Sequence, residues 1–511
     1  MRGTMQLAPE AVGEPAGKIV RSPLDRVSGN LGFLVTIGLA IAYLPPLCRS
    51  LWVDEAGTYW MARGGPLAAL VKTWHWPGQS LLYAVITSFF CFDGFPLRDL
   101  LLRVPSLIGA AAACYFLFRL AEDIFGRGAG RIAAVLFLFH PVTIDLATQA
   151  RPYALAMAAA AASFWTLFRW TVDRRRAWLA AWVFSSALIL YFHYMFAVVL
   201  VVQAVFLLME ARRGEIRGRW VGLLAAVAGI GLLAAPILPH IALLAREAHT
   251  LPFTSKPNSW DLTGFLTPSL FFFGLVAAAA LVYFLRAAEA TPCPISSGTL
   301  AAVFGWWAAG PLLLFGLSNF TSLQMFVPRY MSYSGLGLAL LLTWGAISAF
   351  GPRAGLVWAV LGAMATVANP LSLVGARHAG PEELGPVMRL VEAASANSGD
   401  ALPPVLFRSE LPESDFYNWR AGNAPQSYLY TPFAAYPMKN RLLPLPYRWN
   451  TGVNDHILSL LASDLKTTPR VIFVTHDPFW IPQVAALFER AGFTYTWMQP
   501  NNFFVVRFER R

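Results

Sequence analysis

Apolar runs of about 17–25 residues recur from Leu31 to Pro370, each long enough to cross a hydrocarbon core of about 30 Å. Spans are expected near residues 31–47, 104–121, 131–145, 152–170, 178–192, 195–209, 219–239, 262–285, 299–317, 329–349 and 354–370. Only 13% of the 511 residues are charged, where a soluble domain carries roughly a quarter. After Pro370 the composition turns to that of a soluble domain. The fold class follows: a polytopic α-helical membrane protein of about 11 transmembrane helices, with a small C-terminal α/β domain. Residues 1–30 form a cytoplasmic tail, 31–370 the membrane domain and 371–511 the extracytoplasmic domain.

The net charge of +11 is a matter of topology. Beyond residue 370 there are 13 Lys and Arg against 12 Asp and Glu, so the excess lies in the membrane half. It gathers in short loops: Arg119/Arg127/Arg131, Arg169/Arg174/Arg175/Arg176 and Arg212/Arg213/Arg217/Arg219. Such clusters mark cytoplasmic loops. With the polar N-terminus inside, eleven crossings place the C-terminal domain outside, and no nucleic-acid partner is called for. The N-terminal stretch lacks a signal peptide's layout, so the first span is expected to remain as an anchor. Cys48, Cys91, Cys114 and Cys293 show neither metal-ligand spacing nor a disulfide framework. Five lysines against thirty-four arginines hint at a GC-rich bacterial source.

Two outward segments are longer than a connection needs, and long loops tend to carry function. Within the first, 49–103, residues 55–74 have the pattern of a helix lying in the membrane interface. Residues 80–92 are too short to span and read as a re-entrant or surface helix. The second segment, 240–261, holds Arg246, Glu247, His249 and Lys256. In the last 140 residues, Val405–Phe407 and Arg470–Val474 read as buried strands, Pro482–Ala491 as an amphipathic helix and Phe503–Phe508 as a closing strand. No Gly-rich phosphate loop accompanies them, so no nucleotide is assigned.

The residues able to do chemistry stand at the outward helix ends. Asp54 and Glu55 follow the first span. They fit either a helix N-terminus, where acids cap and meet the dipole, or general-base catalysis. Trp74-His75-Trp76-Pro77-Gly78-Gln79, with Tyr83 beyond, offers indoles that anchor at an interface or stack on a sugar. Arg151 and Arg329, on the side where positive charge is sparse, suit a phosphate through their guanidinium forks; snorkelling to lipid head groups is the other reading of Arg151. Tyr153 follows Arg151, and His193-Tyr194 occupies a third outward end. Acids, bases and anion binders on one face point to an amphiphilic anionic substrate.

The ordered set Trp52-Val53-Asp54-Glu55-Ala56, Trp76-Pro77-Gly78-Gln79-Ser80-Leu81-Leu82-Tyr83, Gln149-Ala150-Arg151-Pro152-Tyr153, His193-Tyr194 and Pro328-Arg329-Tyr330 resembles the GT-C superfamily of membrane glycosyltransferases. Within it the set is similar to the bacterial dolichyl-phosphate-mannose protein mannosyltransferase-like enzymes, such as lipid A aminoarabinose transferases and lipopolysaccharide-core galacturonic acid transferases. Leu81 stands where relatives often have Pro.

The resemblance implies a polyprenyl-phosphate sugar donor, inversion at the sugar carbon, and an envelope acceptor (lipopolysaccharide, lipid, glycan or protein) at the outer face of a bacterial inner membrane. It implies Asp54 as base with Glu55 assisting, and makes Arg151 and Arg329 candidates for the donor phosphate. His75, Trp76, Gln79, Tyr83, Tyr153, His193 and Tyr194 become candidates for sugar or acceptor binding. The neighbouring Glu55 is expected to raise the pKa of Asp54. A divalent metal at the carboxylate pair is the alternative; no cofactor is expected. A transporter or flippase of an anionic lipid-linked sugar is the rival function. Such proteins put ionisable groups or broken helices near mid-membrane, often in repeated halves, and here the charges sit at helix ends. A partner-binding assembly protein is a third possibility.

Overall fold

The computed structural model of the protein describes residues 23–75, 80–93, 97–214, 219–247, 256–285, 295–321, 324–368, 383–396, 402–410 and 430–511. Up to Ala368 it is helical, as it must be where lipid offers the backbone no hydrogen-bond partner. α1 (Pro23–Leu47) leads to a loop of three short helices, α2 (Val53–Ala62), α3 (Pro66–His75) and α4 (Leu81–Ser88), and α5 (Arg98–Phe125) re-enters the bundle. Then come α6 (Ala129–Leu138), α7 (Pro141–Ala147), α8 (Tyr153–Asp173) and α9 (Arg176–Phe192). A 3-10 turn (Tyr194–Ala197) opens α10 (Val198–Arg212), and another (Ala235–Ile237) joins α11 (Trp220–Ala234) to α12 (Leu238–Glu247). α13 (Ser259–Leu266), α14 (Ser269–Leu285), α15 (Ser297–Phe320), a 3-10 turn at Pro328–Met331 and α16 (Ser334–Ala368) complete this part.

Each expected span falls on an apolar helix, yet fewer than eleven can cross a membrane on length and composition alone. Among the described residues six can, or seven if α6 and α7, bent by 68°, form one span. Leu31–Leu47 and α9 are apolar but shorter, about 25 Å each. The 35-residue α16 breaks at Gly351 (φ 70°) just before Pro352, and its two arms carry the last two expected spans. His193 is extended (φ −160°, ψ 114°), so α9 and α10 are separate helices. Small residues let the bundle close. A Cβ on Gly109 of α5 would lie 2.6 Å from the Leu155 amide nitrogen of α8. Without a hydrophobic drive between helices in lipid, such backbone approach is what holds them.

The loop after α1 differs from expectation. Gly64 and Gly65, both at positive φ, split residues 55–74 into two helices. Only α3 lies at the surface, exposing Leu67, Val71 and Trp74, whereas α2 is buried from Glu55 to Ala62. What covers α2 is the C-terminal domain. There α17 (Leu384–Ser395), β1 (Val405–Arg408), α18 (Thr431–Ala435), β2 (Leu442–Leu445), α19 (Thr451–Ala462), β3 (Arg470–Thr475), α20 (Trp480–Arg490), β4 (Phe493–Met498) and β5 (Phe504–Arg510) follow in order. The sheet runs β2-β1-β3-β5-β4, parallel across β2, β1 and β3 and antiparallel beyond. Strand alternation sorts its two faces. Phe407, Ile472, Val474 and Val505 join Leu51, Val53, Ala56 and Trp60 of the loop in one core; Leu406, Val471, Phe473 and Phe508 join Trp480 and Phe488 in another. β2, with Pro444, is an edge strand, where proline is tolerated.

Candidate active site

Trp52 is extended (φ −99°, ψ 175°) and opens α2, and its N–H donates to the Glu55 carboxylate (3.3 Å), an N-terminal lock. Successive helical residues point about 100° apart, so Asp54 and Glu55 diverge. Glu55 turns inward and is fully buried. Arg103 of α5 grips both its oxygens (2.7 and 2.6 Å), and the Ala150 N–H adds a further bond at 2.7 Å. The same guanidinium donates to the carbonyls of Leu47, Arg49 and Ser50 at the end of α1.

Asp54 turns the other way and meets the two predicted arginines. Arg329 Nη1 donates to its Oδ2 at 2.9 Å; Arg151 Nη2 lies 3.6 Å from the same oxygen, and Arg151 Nη1 donates to the Asp54 carbonyl (3.3 Å). Burial alone would raise the Asp54 pKa, but the two arginines outweigh it and hold the carboxyl below its ordinary value. The expected rise from Glu55 is therefore corrected: Arg103 neutralises Glu55 locally, and arginine dominates around Asp54. The Glu55 oxygens are engaged by Arg103 and by the Trp52 and Ala150 amides.

Each arginine is set by its own surroundings. Arg151 is buried; its carbonyl accepts from Ser106 Oγ (2.9 Å), which in turn lies 2.9 Å from the Tyr83 hydroxyl. Arg329 stands on the 3-10 turn before α16, between the rings of Trp52 and Tyr330, 5.9 Å from each centroid. A third of its side chain is exposed, and among the described residues its Nε has no hydrogen-bond partner. The Arg151 guanidinium lies 5.8 Å from the centroid of the Tyr153 ring. The His193 ring sits against those of Tyr153 (5.0 Å), Tyr330 (5.2 Å) and Phe196 (5.3 Å). Burial first, then Arg151 and Arg329, push its pKa down to about 3, so the imidazole is neutral.

Asp54, Arg151, Tyr153, His193 and Arg329 thus converge from four distant stretches of chain. The other candidates do not join them. His75 is exposed at the end of α3 and donates to the Val71 carbonyl (2.8 Å). Tyr194 bonds His240 Nδ1, while His240 Nε2 bonds the Thr73 carbonyl (2.9 Å), a separate contact tying α3 to α12. Tyr83 is buried and supports Arg151 through Ser106, so it offers no hydroxyl to a ligand. Trp76 and Gln79 lie outside the described residues, as do His249 and Cys293. Sequence reasoning overlooked Arg103, Ser106 and Trp52 as site-building residues. Arg103 carried a signal, a charge inside the run Leu100-Leu101-Leu102-Arg103-Val104, because such a charge is costly without a partner.

Residues 77–240 match the family model described as dolichyl-phosphate-mannose-protein mannosyltransferase. The fold is similar to that of ArnT from Cupriavidus metallidurans with undecaprenyl phosphate bound, at a TM-score of 0.57 and 11% identity over 94% of this chain and 98% of that one. The apo form of the same protein gives a TM-score of 0.47 at 12% identity, covering 94% and 98%. The arabinosyltransferase EmbB from Mycobacterium smegmatis gives 0.40 at 15% identity, covering 76% of this chain and 35% of its own. No curated protein sequence matches significantly. The protein is a polytopic membrane protein with the GT-C fold. The resemblance drawn from its motifs holds, and the matched segment carries three of them: the second from Pro77 to Tyr83, the one around Arg151, and His193-Tyr194.

Proposed function

We propose that the protein is an inverting glycosyltransferase that moves a sugar from a polyprenyl-phosphate donor to an envelope acceptor at the outer face of a bacterial inner membrane. The observation that carries this reading is the Asp54 carboxylate held against Arg329 (2.9 Å) and Arg151 (3.6 Å), with one arginine a third exposed. A base beside two anion binders is what transfer from a phosphate leaving group needs. The acceptor hydroxyl oxygen attacks the anomeric carbon opposite the phosphate, and the carbon–oxygen bond to phosphate breaks. Its electron pair goes to the phosphate oxygen, and the hydroxyl proton to Asp54. Negative charge grows on the leaving phosphate, where Arg151 and Arg329 stabilise it.

The ion pairs also imply an order of events. While both arginines grip Asp54, it is ionised but weakly basic. A donor phosphate competes for the same guanidinium groups, so donor binding releases the carboxylate and strengthens it as a base. The ArnT match, a protein crystallised with undecaprenyl phosphate, supports a carrier of this class.

The test is purified protein in lipid nanodiscs, given a panel of undecaprenyl-phosphate-linked sugars and an envelope extract. Donor consumption with release of undecaprenyl phosphate is expected. Donor that crosses a proteoliposome bilayer unconsumed would replace this reading with a flippase.

A further inference from the structure

The strand that delivers Asp54 is gripped by the C-terminal domain. Both backbone polar groups of Leu51, three residues before Asp54, are satisfied there: the N–H donates to the Tyr436 hydroxyl (2.7 Å), and the carbonyl accepts from the Leu384 N–H (3.0 Å). Leu51 is fully buried, so losing either bond leaves a group without water to replace its partner. Next to it, Trp52 forms an antiparallel bridge with Glu383, and Ser50 Oγ donates to the Glu383 carboxylate (3.2 Å) while accepting from the Gly385 N–H (3.1 Å). The Tyr436 hydroxyl in turn donates a hydrogen bond to Asp99 Oδ2 of α5 (2.6 Å). Asp99 holds Arg98, whose guanidinium lies over the rings of both Tyr59 and Tyr436 (5.0 Å each) and bonds the Ala435 carbonyl.

We infer that Tyr436 is a positioning residue, and that the C-terminal domain works as a clamp setting where the Asp54 carboxylate lies against Arg329 and Arg151. The inference rests on Asp54 being the base. Its physical ground is that the two sides of this short strand are held by different bodies. Arg103 fixes the carbonyls of Leu47, Arg49 and Ser50 from the membrane domain; Tyr436, Glu383 and Leu384 fix Ser50, Leu51 and Trp52 from the other side. With the second hold gone, the start of α2 can shift by a fraction of an ångström while Glu55 and Arg103 keep the helix in place. Reactions that depend on near-attack geometry are sensitive to such shifts.

Tyr436→Phe in the full chain isolates this role, because the ring and its stacking on Arg98 remain while both hydroxyl bonds go. Three results are expected. Hydrogen exchange speeds up at residues 50–55 but not in β3. Turnover of whichever panel donor the wild type consumes falls about tenfold, with the donor KM within about twofold. The acid limb of the turnover profile moves to higher pH, as Asp54 loosens from its arginines.

Unchanged exchange at 50–55 would overturn the clamp, as would faster exchange throughout 383–511 with normal turnover, the mark of a residue that only packs the domain. If Tyr436→Phe fails to fold, Glu383→Ala removes the Ser50 and Arg49 contacts from a partly exposed position and is expected to give the same local effects, smaller. Asp54→Asn separates the two claims. Should that variant turn over normally, the base assignment falls and the clamp is decided by exchange alone.

Discussion

Asp54 and Glu55 are adjacent, and each meets arginine, but their surroundings are built to opposite ends. Glu55 and Arg103 form a closed unit, nearly inaccessible, with the carboxylate oxygens further bonded to amides and the guanidinium to carbonyls. Asp54 has a fifth of its side chain exposed and shares Arg329 with the aromatic rings around it. The lesson is that a carboxylate–arginine pair is an anchor when its remaining valences are filled and a site when they are open. Helix geometry enforces the difference, since neighbouring positions on α2 must face different bodies.

The hardest test of this contrast is to neutralise each acid in turn. Asp54→Asn is expected to fold normally and to lose roughly 1,000-fold or more in turnover, the scale of a general base. Glu55→Gln should instead lose stability, about 3–5 kcal/mol, because it leaves the buried Arg103 charge uncompensated. Thermal unfolding and donor consumption, measured on both variants, check the pair. A Glu55→Gln protein that is stable but inactive would break the comparison and return Glu55 to the helper role that the sequence motif implies.

A finer cut distinguishes the two arginines. Arg151→Ala is expected to weaken undecaprenyl phosphate binding by roughly 10–100-fold, the size of a lost charge-assisted hydrogen bond, and Arg329→Ala by less because it is the more exposed. Either change should also shift the acid limb of activity. The Asp54 carboxyl is held below its ordinary 3.8 by both arginines, so its ionised form is lost as pH falls through that lowered value. Removing one arginine moves the loss to higher pH. Unchanged binding of the phosphate carrier to the Arg151 variant would mean that this arginine only orders the loop.

Most of the helical architecture was legible because lipid imposes a long apolar run on every crossing, as in Arg98–Phe125 and Tyr194–Arg212. Asp54, Arg151 and Arg329 were legible as well, since charges at outward helix ends stand out against an apolar background. Three things were hidden. Whether α2 lay in the interface or beneath the C-terminal domain turned on a partner more than 300 residues away. The direction of the Asp54 pKa shift turned on which neighbour faced it, and Glu55, the neighbour in sequence, does not. The chain Tyr83–Ser106–Arg151 ties α4 and α5 to the backbone just before α8 through two hydroxyls that look ordinary in sequence.

The smallest effect expected concerns His193, and it tests whether the open site senses its arginines beyond Asp54. Its folded pKa, about 3, lies well below the ordinary 6.5. Between those values the unfolded chain binds a proton that the folded protein refuses, so stability is complete above pH 6.5 and declines as pH falls toward 3. Other buried histidines share the upper part of that window, so the difference between wild type and a His193 variant, and not the wild-type slope by itself, reports this ring. Unfolding of wild type and His193→Gln, followed from pH 6.5 down to about 5, isolates the contribution of His193. The variant is expected to lose less stability on acidification than the wild type. Parallel slopes would mean that the imidazole takes up a proton freely, and that the ring cluster around Tyr153 and Tyr330 does not confine the field of Arg151 and Arg329.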